Sequence, residues 1–249
     1  MLNEKLHIPI CELVAENPKL GFVLHAQGIK FYEHSDSTIS AISQNYAFNL
    51  KQFISQCNWQ YQYQLFQNPL LLHKHSAGDV ILYLRYMHRI FVKEKLPYFA
   101  ALIQDIEQSD DKRIADLKWV FPYFLEDFVH HIFDEEDHLF KYIHSMVKAI
   151  AAKRTPAALW MEMETKSIAA YALQHSLDDD EMAGIRSLTS QYKHLPSDSL
   201  ALRVLYYELM EFEKELQFHA RVENEVLFPK ALTLENTLRA MLHQQTNHN

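Results

Sequence analysis

Apolar positions recur at steps of three and four over most of the chain, the period of a helix with one buried face. Four long stretches carry it: Asp79 to about Glu107, Ile114 to about Ala151, Ala157 to about Tyr192 with a break near Asp178 to Asp180, and Asp198 to about Leu227. Their separators, QSDDK, KRTP and KHLPSD, are short and suit tight helix-to-helix turns. Four long helices joined so briefly predict an antiparallel four-helix bundle. Pro97 and Pro122 interrupt the pattern and are expected to kink a helix or mark a ragged start.

Ahead of the bundle the periods are shorter. Ile10 to His25 carries Leu13, Val14, Leu20, Val23 and Leu24 on one side. A second helix, capped by Ser37 or Asp36, would turn Ile39 and Ile42 inward, and Leu50, Phe53 and Ile54 mark a third. None is long enough to stand alone. Asn58 to Asn68, NWQYQYQLFQN, alternates polar and aromatic residues before Pro69 and reads as an extended tether, with a short strand or helix extension left open. The expected division is therefore a small helical domain with its tether over 1–70 and the bundle over 71–249. Only four glycines occur in 249 residues, so turns needing positive φ are scarce and the fold class is all-α.

Composition narrows the chemistry. The net charge of −8 disfavours binding to a nucleic-acid backbone, and no stretch approaches the length and apolarity of a membrane span. Cys11 and Cys57 lie far apart in no metal or redox spacing, which points to a reducing cytoplasm and away from thiolate chemistry. Fifteen histidines are the compositional oddity.

Two of them begin a repeat, His-x3-Glu-x3-Leu-Phe, first within FVHHIFDEEDHLF (128–140) and again in HARVENEVLF (219–228). With 15 histidines and 32 acids, chance alone predicts roughly two His-x3-acid pairs, and the chain has six. Spacing is thus a weak signal, and such pairs on exposed faces add only a few tenths of a kcal/mol. His131/Glu135 and His219/Glu223 differ from the rest in lying on apolar stripes, with Phe121, Phe124, Phe128, Leu139 and Tyr142 or Ile143, and with Leu205, Leu209, Phe212, Leu216 and Val226 or Leu227. A carboxylate buried there is costly unless a cation compensates it. If the bundle is two similar helix pairs, each also needs a histidine from its first helix. His88 lies 43 residues before His131 and His175 lies 44 before His219, both on apolar stripes. Four imidazoles and two carboxylates suit a pair of borderline metal ions bridged by the glutamates, and non-haem iron suits such a set better than zinc, calcium or magnesium.

The repeat, the carboxy-terminal HARVENEVLFPKAL, the segment from His88 to Pro97 ending KEKLP, and His175 followed by Leu188-Thr189-Ser190-Gln191-Tyr192 resemble the repair-of-iron-centres proteins, di-iron members of the hemerythrin-like superfamily. The resemblance spans roughly residues 75–232. It implies a four-helix bundle with an oxo- or hydroxo-bridged pair of non-haem irons, held by His88, His131, His175 and His219 with Glu135 and Glu223 bridging. It also implies a role in nitrosative or oxidative stress defence, restoring damaged iron-sulfur clusters by iron donation or redox chemistry, or else oxygen or nitric oxide binding without catalysis. The implied partners are damaged iron-sulfur proteins or a diatomic ligand, with a homodimer allowed. In the family's first-helix motif the ligand position varies by one residue, so Arg89 is the alternative to His88. His130, His138 and His144 are expected off the inner stripe, and Asp178 and Asp179 are placed to orient His175. Where family members carry Cys-Cys followed by glycines, this chain has Phe31-Tyr32-Glu33-His34-Ser35, and where a proline often follows Leu-Phe it has Lys141.

Overall fold

A computed structural model describes residues 5–45, 49–51, 53–55, 57, 68–106, 112–177 and 180–246. Among these the chain is all-α, and the one β pairing is an isolated bridge between Pro9 and Thr38. No helix of the described residues is long and apolar enough to cross a membrane. Asn58 to Gln67 of the expected tether, most of the QSDDK separator, and Asp178 and Asp179 lie outside the described residues.

The chain gathers into two compact units, each built from separate segments: Met1–Gln67, Val92–Tyr123 and Met182–Lys214 in one, and Asn68–Phe91, Phe124–Glu181 and Glu215–Asn249 in the other. The 1–70 and 71–249 division is linear, whereas these units are spatial and draw on non-contiguous chain.

In the first unit, the segment read as one helix over Ile10 to His25 is two, Ile10–Glu16 and Lys19–Ala26. Pro18 disfavours α geometry at the residue before it, and Asn17 is accordingly extended at φ −139°. Helix Ile39–Asn45 follows, and the N–H of its third residue, Ala41, is capped by the Thr38 hydroxyl at 3.1 Å, not by Ser37 or Asp36. Phe22 meets Tyr98 edge-on at 5.3 Å, and Phe99 meets Phe212 likewise at 5.3 Å, so aromatic pairs stand among the aliphatic side chains of this core. The turn that departs from the family pattern is a packing element: Phe31 is buried, and the Tyr32 hydroxyl donates to Asp105, which also pairs with Lys30 at 2.9 Å.

Gly21 is closely packed in this core. A Cβ there would stand 2.9 Å from the Tyr98 hydroxyl and 3.0 Å from the Phe31 ring. Gly21→Ala is expected to cost about 1–3 kcal/mol through overpacking. At Gly184 nothing lies within 4 Å of such an atom, so Gly184→Ala, inside helix Ala183–Leu188, should be neutral or stabilising by about 1 kcal/mol. Thermal unfolding of the two variants checks the contrast.

The second unit holds helix Ala77–Ile90, the end of Lys112–Asp134, then Phe140–Ala151, Ala157–Thr165, Ile168–Leu177, the end of Leu200–Val222, and Phe228–Thr246. Ser76 starts the first with a capping box: its hydroxyl accepts from Asp79 N–H, and the Asp79 carboxylate accepts from Ser76 N–H at 3.1 Å. Val80, Leu84, Tyr142, Ile143, Met146, Val226, Leu227 and Leu238 form its apolar core. The third predicted stretch is broken in two places: one helix ends at Leu177 and the next begins at Ala183, around the expected break, and a further break falls at Lys166–Ser167, where the new helix begins with Ile168 N–H donating to the buried Glu235 carboxylate at 2.9 Å.

Three helical runs contain a turn of π-helix: Phe91–Lys95, Glu135–Leu139 and Glu223–Leu227. Each adds a residue to the helical turn and rotates the helix beyond it. Two are followed two residues later by proline, Pro97 and Pro229. A proline there meets a ladder already interrupted, so its missing N–H and its ring cost little. The fourth stretch therefore does not end near Leu227 but continues through Phe228–Thr246. Pro122, in contrast, sits within the α-helix Lys112–Asp134.

Candidate metal centre

His131 and Glu135 sit one helical turn apart, as do His219 and Glu223, and in each case the glutamate is the first residue of a π turn. The wider turn leaves the preceding His-x3-Glu pair on one face while bringing both following apolar residues, Leu139 with Phe140 and Val226 with Leu227, into the core. Thus the apolar anchors on both sides of each pair fix the direction in which its polar groups point.

The six predicted residues all belong to the second unit, and the structure brings them together. They form two groups that share Glu135. His88, Glu135, His219 and Glu223 present donor atoms within 4.8 Å of one another and are all buried; His131, Glu135 and His175 do the same in a more open setting. Glu135 divides its oxygens between them, Oε2 lying 3.3 Å from His88 Nε2 and Oε1 lying 3.2 Å from His131 Nε2 and 3.4 Å from His175 Nε2. Glu223 Oε2 is 2.8 Å from His175 Nε2 and 3.5 Å from His219 Nε2. Each group takes one histidine from each predicted helix pair, His88 or His131 from the first and His175 or His219 from the second. The repeat is therefore not one metal position written twice; the two copies are interleaved.

Neighbouring residues fall as their phases require. Arg89, the alternative to His88, is exposed, while the His88 side chain is 2% exposed. His130, His138 and His144 are exposed, and His138 pairs with Asp134 at 2.8 Å outside the cluster. Two carboxylates outside the predicted set do reach it. Glu136 Oε1 lies 3.0 Å from His88 Nδ1, and Glu181 Oε1 lies 3.5 Å from His131 Nε2. Glu136 follows Glu135 directly and is hidden by the single-stripe pattern. Glu181 comes from the turn after Ile168–Leu177, where periodicity carries no information.

Electrostatics separate the members sharply. Full burial, then the neighbouring His88 charge, pushes His219 down to about 3, so it is neutral. His131 and His175 are also penalised by burial, but the carboxylates around them prevail and hold them up at about 9 and about 10. Glu135 is opposed by burial yet held well below the usual carboxylate range by its three histidines, whereas burial and the Glu135 charge push Glu223 up to about 7.

These residues fit a bound cation better than they fit one another. His88 Nε2 and His219 Nε2 face each other at 3.1 Å. Two imidazole lone pairs so placed can share only one proton, and with ligand bonds of about 2.1 Å the same separation is that of two donors at roughly a right angle on one ion. None of the four oxygens of Glu135 and Glu223 has a hydrogen bond, although imidazole nitrogens stand within 2.8–3.5 Å of three of them, both Glu135 oxygens and Glu223 Oε2. Proximity without hydrogen-bond geometry is expected of ligands aimed at a common point rather than at each other. Each group could therefore hold a metal ion, and the nitrogen and carboxylate donors favour a transition metal over calcium or magnesium. Neither the protein-family models nor the curated proteins compared with the chain give a match.

Proposed function

We propose that the chain is a non-haem di-iron protein on a hemerythrin-like four-helix bundle, related in role to the repair-of-iron-centres proteins and serving nitrosative or oxidative stress defence by iron donation or redox chemistry. The observation that carries this reading is the pair of His/Glu groups sharing one buried glutamate. His88, His219 and Glu223 would hold one iron, His131 and His175 the other, with Glu135 between them. A bound pair of irons supplies one-electron chemistry and a Lewis-acidic position for a diatomic ligand. The protein's own part is to orient the donors, keep His219 neutral and ready to bind, and exclude water from the inner group.

The turn at Phe31 to Ser35 bears on how iron or a client is handled. It offers no thiol, and Cys57 is buried with its thiol pushed up to about 12 by that burial, which leaves it a poor nucleophile. Repair by this chain would therefore proceed without cysteine exchange through that turn. Reversible oxygen or nitric oxide binding is the second reading, favoured by the partial exposure of His131. Metal analysis of freshly purified protein tests both, with an expected iron content of about two per chain and near-ultraviolet absorption that changes on reduction. Protein that takes up no ferrous iron and gains no thermal stability from it would falsify them. Reactivation of a damaged iron-sulfur enzyme, lost on His219→Ala, separates repair from ligand carriage.

A further inference from the structure

The two groups differ in ways a simple two-fold repeat would not produce. The inner one has four donor residues, every side chain at most 8% exposed. Its His88 is fixed from two sides: Nδ1 is held by Glu136 at 3.0 Å, itself drawn back by Arg85 at 3.6 Å, and the ring stacks on Phe140 with an interplanar angle of 8°. Phe91 closes over His219, ring centroids 5.8 Å apart. The outer group has three donor residues, and one, His131, is 36% exposed. Beside it stands Glu181, 25% exposed and 3.5 Å from the same Nε2 that faces Glu135.

We propose, resting on the di-iron reading, that the two ions are unequal by construction: the ion at His131, His175 and Glu135 is the exchangeable one, with Glu181 as the carboxylate that meets it on entry and exit, and the ion at His88, His219, Glu135 and Glu223 is retained. The physical basis is ligand number and access. A metal ion leaves by replacing protein donors one at a time with water or another ligand. Three donors with a solvent-reachable histidine allow that stepwise exchange, while four buried donors do not. Glu181 supplies an oxygen at the first step outward, so the ion need not pass from His131 directly to water. Glu136 acts oppositely, as a positioning residue: by holding Nδ1 it fixes which nitrogen of His88 faces inward and how the ring lies, an arrangement whose loss typically weakens a metal site 10–100-fold.

The test is release of iron from anaerobically loaded protein to a ferrous chelator, followed by the colour of the chelate. Wild type should lose its iron in two equal phases, the second at least about tenfold slower. Glu181→Gln should slow the fast phase while the loaded protein still holds both ions, and Glu136→Gln should quicken the slow phase alone. Release of both equivalents at one rate overturns the inequality while leaving the di-iron reading intact. Loaded Glu181→Gln protein with only one ion makes Glu181 an ordinary ligand, and unchanged kinetics in that variant remove it from the path; either result overturns its role. Wild-type protein that never reaches two equivalents defeats the di-iron reading itself, and this inference with it. Both substitutions are conservative and lie at partly exposed positions, so the fold is retained.

Discussion

Glu135→Ala is expected to take the iron content from about two per chain to near zero, whereas Asp134→Ala leaves it unchanged. The two residues are adjacent in sequence, yet only Glu135 faces inward, with its two oxygens apportioned between the two histidine groups. Asp134 is exposed and occupied with His138 at 2.8 Å. Glu223→Ala should instead keep about one iron per chain, since Glu223 belongs to the inner group alone while Glu135 belongs to both. Stability follows the same division, because an ion present at a thousand times its dissociation constant adds about 4 kcal/mol. Metal analysis with thermal unfolding in the presence of ferrous iron reads both effects. Equal loading of Glu135→Ala and Asp134→Ala would remove the inward assignment, and loss of both ions from Glu223→Ala would overturn the placing of Glu223 in the inner group alone.

The second large effect concerns protons. In the metal-free protein at pH 7, His131 and His175 lie below their values of about 9 and about 10 and so carry protons. Coordination needs their lone pairs, so loading must expel those protons, about two for the outer position. Apparent affinity there should consequently rise up to about a hundredfold per pH unit between pH 7 and 9 and level off above about 10, where the nitrogens are already free. His219, neutral throughout this range, adds nothing to the slope. An indicator dye in weakly buffered solution gives the proton count directly. Uptake of two ions without acidification would show that these histidines are not ligands.

Much of this centre is legible in the sequence because burial and metal ligation impose the same period. His131 with Glu135 and His219 with Glu223 stand on stripes of Phe and Leu, and the 43- and 44-residue offsets lead to His88 and His175. The π turns escape such a reading, since a 3.6-residue template slides over one inserted residue. They leave traces all the same. Tyr142 and Ile143 compete for one stripe position, as do Val226 and Leu227, and all four are buried: the first pair follows a π turn and the second lies within one, and each turn is one residue too long for a single stripe. Pro97, inside the first stretch, and Pro229, just past the expected end of the fourth, each stand two residues beyond one of the three turns. The crossed pairing of His88 with His219 and of His131 with His175 is out of reach, because equal offsets identify equivalent positions without saying which of them face one another. Glu136 and Glu181 are hidden for local reasons, one behind its neighbour's phase and the other in a turn.

Crossed pairing also makes each ion a clasp on the chain. The inner position joins His88 to His219 across 131 residues, while the outer position joins His131 to His175, only 44 residues apart and wholly within that span. Closing the longer span restricts the unfolded chain more, although the cost of closure grows only slowly with length. The exchangeable ion thus fastens the smaller, nested loop. Giving it up would release 44 residues of chain while the longer clasp stays shut, so the protein could surrender metal without beginning to come apart.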